Sequence, residues 1–317
     1  MEHTKMEPLN FPLRLLLTSL LVLLFVIGIV GNVLIVYLLG FKWPRSASSL
    51  MFISLAIANI FIVLFLPVYS VYILADFKWF MGSALCKMSS FILTISMLAS
   101  VLVLLVITID KNLGYLVPGF VYRYRSSRNI FLLIIIIWMV SILIGIPALC
   151  YKEVKADTMN ITKCITHYDD NKLTDREIRH GIICIRLFVS YILPIIILLV
   201  YILLLHRAKV RMNRKFYMSI SSIVSYFVCW LPYHLLGLIT LMEDIYHIEK
   251  IIRNLSPMAI VFATSYAVIN PLLYVCMVKS AESENDNFVT LRELLAEDNT
   301  LSTVSDEGEG TSENIRL

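Results

Sequence analysis

A chain of 317 residues that is 59% hydrophobic, 16% charged and of mean hydropathy +0.81 cannot cover its surface with polar groups, which excludes a soluble globular domain. The formal net charge of +4 is small and lies in short linkers, so nothing points to nucleic acid. No cluster of metal ligands and no nucleophile–base pairing stands out, so neither an enzyme nor a bound cofactor is expected.

The apolar residues fall into blocks long enough to cross a bilayer, which takes about 20 helical residues. They predict an all-α membrane protein, a seven-transmembrane helix bundle with spans near 13–39, 48–74, 83–109, 129–150, 181–206, 216–241 and 253–277. Residues 1–12 read as a short N-terminal segment, 13–279 as the membrane domain and 280–317 as a tail. The first apolar run extends from near Leu13 past Leu39, too long for a signal-peptide core and without a convincing cleavage site. No internal repeat marks a duplicated transporter.

Charge predicts the orientation. The linkers after spans one, three and five carry Lys42 and Arg45, then Lys111, Arg123, Arg125 and Arg128, then Arg207, Lys209, Arg211, Arg214 and Lys215. The single acid among them is Asp110. The other linkers mix signs, so the positive-inside rule puts the N-terminus outside and the C-terminus inside.

Two of the six cysteines fall on the outer side: Cys86 at the start of span three and Cys164 in the long loop before span five. They face an oxidising compartment, and a bridge between them would pin the loop over the bundle mouth. Asn160-Ile161-Thr162 in that loop is a glycosylation sequon. The tail 280–317 sets two arginines against ten carboxylates, a net of −8, with Ser302, Thr303, Ser305, Thr311 and Ser312 between them. Such a composition predicts disorder, apart from a short helix around Val289–Glu297. At the end of span seven stands Asn270-Pro271-Leu272-Leu273-Tyr274. A proline there frees a backbone carbonyl and bends the helix, and the flanking polar groups can exchange partners, which is how a hinge would be built.

These residues occur in an order that resembles the rhodopsin-like (class A) G-protein-coupled receptors. The markers are Gly31-Asn32-Val33, Leu55-Ala56-Ile57-Ala58-Asn59, Trp79 and Gly82 before Cys86-Lys87, Trp138, Pro194, Cys229-Trp230-Leu231-Pro232 and Asn270 to Tyr274. The run from Phe227 to His234, and Arg186 eight residues before Pro194, are similar to the chemoattractant cluster of formyl peptide and chemerin receptors. The resemblance implies that Arg186 faces the ligand cavity and meets an acidic ligand group, with Thr94, His234 and Thr264 as neighbours. A guanidinium inside a span persists best with an anionic partner or water. The aspartate with which formyl peptide receptors read their ligand aligns with Thr94, which argues against a formyl peptide. Trp230 beside Pro232, and Asn270, Pro271 and Tyr274, are implied as the activation switch. Asn32, Asn59, Ser100 and Asn270 are expected to form one internal polar cluster.

The inner side departs from the family. Asp110-Lys111-Asn112, the implied G-protein interface, stands where the family has Asp-Arg-Tyr. Lysine keeps the charge and loses the planar fork. Asn59 replaces an aspartate, and with it the charge that would bind sodium. Ile202 aligns with a tyrosine, while Tyr201 lies about 100° around the helix. The loop 207–215 is short, and no basic amphipathic helix follows Tyr274.

The resulting expectation is a plasma-membrane receptor of the chemoattractant type for an extracellular peptide or acidic lipid. It would pass a conformational change to a heterotrimeric G protein, and to arrestin through a phosphorylated tail. The alternative is a non-signalling or arrestin-biased decoy for the same ligands. A retinal protein is excluded because residues 253–277 contain no lysine for a Schiff base.

Overall fold

A computed structural model of the chain describes residues 9–42, 46–117, 119, 123–156, 161–210, 214–241 and 249–282. Asn160, most of the N-terminal segment and the tail from 283, with its serines and threonines, lie outside the described residues. So do the side chains of Lys111, Asn112 and Tyr274.

Seven segments are long and apolar enough to cross a membrane. Span one is α1 (Phe11–Tyr37) with a π turn at Leu38–Lys42. Span two is α2 (Ala47–Leu64) and α3 (Leu66–Leu74). They part at Phe65 because Pro67 offers no N–H to the Val63 carbonyl. Spans three and four are α4 (Gly82–Leu116) and α5 (Ser127–Tyr151). An antiparallel hairpin follows, β1 (Lys152–Ala156) with β2 (Thr162–Thr166), in which Val154 opposes Cys164. Span five is α6 (Lys172–Leu187), a π turn at Phe188–Ile192 and α7 (Leu193–Arg207). Spans six and seven are α8 (Arg214–Thr240) and α9 (Glu249–Glu282).

Span five begins nine residues earlier than the expected 181. The stretch 172–180 is polar, so hydrophobicity conceals it, but its helix signals are local. Asn171 accepts from Leu173 N at 3.0 Å, Asp175 sits in the first turn, and Arg179 pairs with Asp175 one turn later at 2.6 Å. The π turn has a cause too. Pro194 has no N–H for the Ser190 carbonyl and its ring crowds it, and a wider turn absorbs both defects.

Span three runs through the middle of the bundle, and most of its residues are buried. Met97 and Leu98 on it, with Trp230, Tyr226 and Tyr266, are among the largest fully buried side chains. Lipid tails are as apolar as leucine, so close packing and hydrogen bonds between spans hold such a bundle. Trp138 Nε1 in span four donates to Ser54 Oγ in span two at 3.0 Å. Gly28, Gly31 and Gly145 allow close approach: a Cβ at Gly31 would meet Pro271 Cβ at 2.9 Å.

One end of the bundle is closed by the hairpin. Cys164 in β2 is disulfide-bonded to Cys86 at the start of α4, with Cα atoms 5.7 Å apart. Trp79 N donates to Thr162 O at 2.8 Å and Thr162 Oγ1 donates to Trp79 O at 2.6 Å, so the α3–α4 connection is stitched to the same strand.

Candidate functional site

Beneath the hairpin, Arg186 lies fourteen residues into the helix that starts at Lys172, about 20 Å from its N-terminus. Its guanidinium carbon stands 5.4 Å from the centroid of the Tyr233 ring, a cation–π contact with span six. Ser190, one turn on, donates to the Arg186 carbonyl at 2.6 Å and meets His234 Nε2 at 3.2 Å. Tyr191 lies 5.0 Å from the His234 ring and donates to Phe227 O at 3.1 Å. The widened turn after Arg186 therefore faces the Phe227–His234 run of α8.

A second cation shares this region. Lys152, the first residue of β1, is half-buried. Loss of water contact, and then the like charge of Arg186, pull its amine from 10.5 down to about 8. Neither Lys152 nor Arg186 has a carboxylate partner among the described residues. Burial raises the phenol pKa of Tyr168, against the lowering effect of Arg186. The positive charge of Arg186 thus acts on Lys152, and among the described residues no carboxylate is paired with either.

From Arg186 a ladder of rings descends into the core. Tyr233 and Trp230 have centroids 5.5 Å apart, Trp230 and Tyr226 5.8 Å, and Tyr226 and Tyr266 5.3 Å. Tyr226 OH donates to Met97 O on span three at 3.4 Å. Trp230 is fully buried and its Nε1 has no hydrogen-bond acceptor among the described residues.

The other residues expected near the ligand are arranged differently. Thr94 Oγ1 donates to Ser90 O at 2.9 Å, and Thr264 Oγ1 to Ile260 O at 2.8 Å. Both hydroxyls thus serve their own helices. A buried hydroxyl in hydrocarbon takes the nearest carbonyl, one turn back. Of the four residues Arg186, Thr94, His234 and Thr264, the structure joins Arg186 and His234, through Ser190.

The internal polar groups also divide. Asn32 Nδ2 donates to Gly28 O and to Ala267 O, both at 2.8 Å, and Asn59 Nδ2 donates to Asn32 Oδ1 at 3.1 Å. Ala267 is four residues before Pro271, so Asn32 supplies the hydrogen bond that the proline withdraws from its own helix. The Ser100 hydroxyl and the Asn270 amide are buried without a hydrogen-bond partner among the described residues. Of the four residues expected in one cluster, the structure joins Asn32 and Asn59 by a hydrogen bond, while Asn32 is also committed to the span-seven backbone.

At the opposite end, Asp110 terminates the apolar part of span three and is 7% exposed at its side chain. Arg125 Nε donates to Asp110 Oδ1 at 2.7 Å and Arg125 Nη2 to Oδ2 at 3.0 Å. The same Nη2 donates to Ser48 Oγ at 3.2 Å. Tyr201 is buried and donates to Ile109 O at 2.8 Å, while Ile202 packs into the apolar cluster beside it. Lys152, Ser190, Tyr233 and Arg125 were not singled out from the sequence as site residues. Ser190 lies one helical turn from Arg186, and Tyr233 lies within the Phe227–His234 run.

Comparison with known proteins agrees with this architecture. The model of the 7 transmembrane receptor (rhodopsin family) matches residues 31–274. The G-protein coupled receptor homolog FPV027 of Fowlpox virus (strain NVSL) is 37% identical over 297 residues, 92% of this chain and 88% of its own length. Chemerin-like receptor 2 of Mus musculus is 32% identical over 82% of this chain and 75% of its own. The C3a anaphylatoxin chemotactic receptor of Oncorhynchus mykiss is 30% identical over 80% and 71%. The chain belongs to the rhodopsin family of seven-transmembrane G-protein-coupled receptors, as a multi-pass plasma-membrane receptor of the chemoattractant type and not an enzyme.

Proposed function

We propose that the hairpin end faces outside and receives a peptide or lipid through an anionic group, a peptide carboxyl terminus or a lipid headgroup. The observation that carries this reading is the pair of cations Lys152 and Arg186, which have no carboxylate partner among the described residues, at the head of the aromatic ladder. An anion between them relieves their mutual repulsion. Contact at Tyr233 and His234 is then relayed through Trp230 toward the Asn270–Pro271–Tyr274 hinge, where Asn32 already holds the carbonyl that Pro271 leaves free. Thr94 and Thr264 contribute shape rather than hydrogen bonds. At the other end Asp110, Lys111 and Asn112 form the surface offered to a heterotrimeric G protein, and a phosphorylated tail recruits arrestin.

The test is a binding panel on cells with matched surface expression. It compares carboxyl-terminal peptides, their amidated forms and acidic lipids on wild type, Arg186→Gln and Arg186→Lys. Loss of binding on amidation or in Arg186→Gln, with partial recovery in Arg186→Lys, supports the reading. A ligand that binds Arg186→Gln and the amide as tightly as the native pair overturns it.

A second reading, a decoy with little coupling, is favoured by Lys111 and by the engagement of Asp110 by another residue. Ligand uptake without nucleotide exchange on any G protein, restored by Lys111→Arg, would establish it.

A further inference from the structure

With seven spans, the connections after spans one, three and five emerge on the same side as the segment after span seven, whichever way the bundle is inserted. Those connections carry eleven cations and one carboxylate, a net of +10, while residues 280–317 carry two arginines and ten carboxylates, a net of −8. We infer that the exposed basic end of the bundle is a docking surface for this chain's own acidic segment, 293–313. The inference does not depend on the proposed ligand or on its site at the hairpin end.

Three observations carry it. The first is unbalanced charge. Lys42, Arg123, Arg128, Arg207 and Lys209 are exposed, and none has a carboxylate partner among the described residues. The one carboxylate of these connections, Asp110, has both oxygens engaged by Arg125, at 2.7 and 3.0 Å, so it balances none of the five. The second is fixed presentation. Span five ends in a turn closed by Ala208 N to Leu204 O and Lys209 N to His206 O, both at 3.0 Å, and by Val210 N to Leu205 O at 3.1 Å. Val210 packs against Tyr201 and Leu205, so Arg207 and Lys209 project from a closed turn. Arg128 lies in the first turn of α5, which holds no acid, and there the helix dipole adds to the positive potential.

The third is reach. Residues 293–313 hold seven carboxylates and no lysine or arginine. Glu293 lies eleven residues beyond Glu282, the end of α9, and Asp306 twenty-four. A flexible chain of those lengths spans about 18 and about 27 Å. Span seven packs on span six and span six on span five, and neighbouring helices lie about 8–10 Å apart, so the end of span five is about 20 Å from that of span seven. Tethered in this way, the acids meet the cations at an effective concentration on the order of millimolar. A partner for this face must displace them, and an anionic leaflet competes for the same cations.

The experiment measures energy transfer in the full-length receptor, in phosphatidylcholine nanodiscs, between dyes on Ala208→Cys and Ser305→Cys, with Cys150, Cys184, Cys229 and Cys276 replaced. One variant has Glu293, Glu297, Asp298, Asp306, Glu307, Glu309 and Glu313 changed to their amides; the other combines Arg207→Gln and Lys209→Gln. Transfer in the wild type falls severalfold as ionic strength rises from about 0.1 to about 1 M, over which the screening length shrinks from about 10 to about 3 Å. It is low at every salt in the amide variant and partly lowered in the loop variant. Loss of loop cations risks misinsertion, whereas the amide variant leaves the membrane domain untouched and keeps the test decisive. Added polyglutamate binds the amide variant and is excluded by the wild type. Transfer that ignores salt or survives amidation, or equal polyglutamate binding by both receptors, overturns the inference. Transfer lost on adding phosphatidylserine to the discs also overturns it and assigns the face to the membrane.

Discussion

Gly145 sets how closely spans three and four approach, and Gly145→Ala puts a number on that closeness. A Cβ there would lie 2.6 Å from Ile95 Cγ2 and 3.1 Å from Phe91 Cδ2 and Cε2. Carbon atoms rest about 3.5–4.0 Å apart, so the new methyl is about 1 Å too near. The Phe91 ring can swing by a few tenths of an ångström. Ile95 is buried and β-branched, and Cγ2 is fixed to its Cβ, so relief there requires the helices to part. Overpacking of this kind costs about 1–3 kcal/mol, and the better helix propensity of alanine returns up to about 1 kcal/mol, leaving a net loss of roughly 1–2 kcal/mol. Gly181 is the control: it also lies inside a helix, but its added Cβ meets nothing within 4 Å, so Gly181→Ala stabilises by up to about 1 kcal/mol. The assay is thermal unfolding of the purified receptor in one detergent, extended to a cycle with Ile95→Ala. In the double variant the alanine methyl occupies space that Ile95 vacated, so a favourable coupling of about 0.5–3 kcal/mol is expected. A Gly145→Ala receptor that melts at or above wild type, or a cycle additive within about 0.5 kcal/mol, refutes the reasoning.

Other expectations follow from single contacts. Because the Lys152 amine is drawn down to about 8, affinity for an anionic ligand falls as pH rises past 8, and Lys152→Arg removes that slope in a binding titration. The same shift bears on stability with the opposite sign. Between about 8 and 10.5 the unfolded chain holds a proton that the folded one has released, so this residue's contribution to stability increases with pH, and Lys152→Met abolishes the increase. Cys164→Ser opens a bridge between residues 78 apart, costing up to about 4 kcal/mol, and lowers ligand binding more than surface expression, which flow cytometry with a labelled ligand separates. Trp138→Phe removes the hydrogen bond to Ser54 and costs about 1 kcal/mol in thermal unfolding; an unchanged melting temperature would discount that contact. Lys111→Arg restores the planar fork and raises ligand-stimulated nucleotide exchange severalfold; equal exchange in both receptors at equal surface levels would show that lysine suffices.

The seven spans were legible in the sequence because crossing a bilayer is a local demand. Each segment must satisfy its own backbone and present apolar side chains along its length, whatever its neighbours do. The family followed from the order of a few motif residues. The start of span five was hidden, since its polar turns signal only through Asn171, Asp175 and Arg179. Which buried polar groups meet was not legible either. Asn32 could have joined Ser100 and Asn270, and instead it serves the Ala267 carbonyl. Whether Thr94 and Thr264 turn to a ligand or to their own helix is a choice between two carbonyl-distance contacts that one sequence position cannot express. The proximity of Lys152 to Arg186 relates a strand to a helix, and the ion pair of Arg125 with Asp110 bridges fifteen residues that include a loop. Such partnerships depend on distances between elements. The apolar pattern of a chain fixes how each element lies in the membrane, and only their packing decides which charged and polar groups are brought within bonding distance.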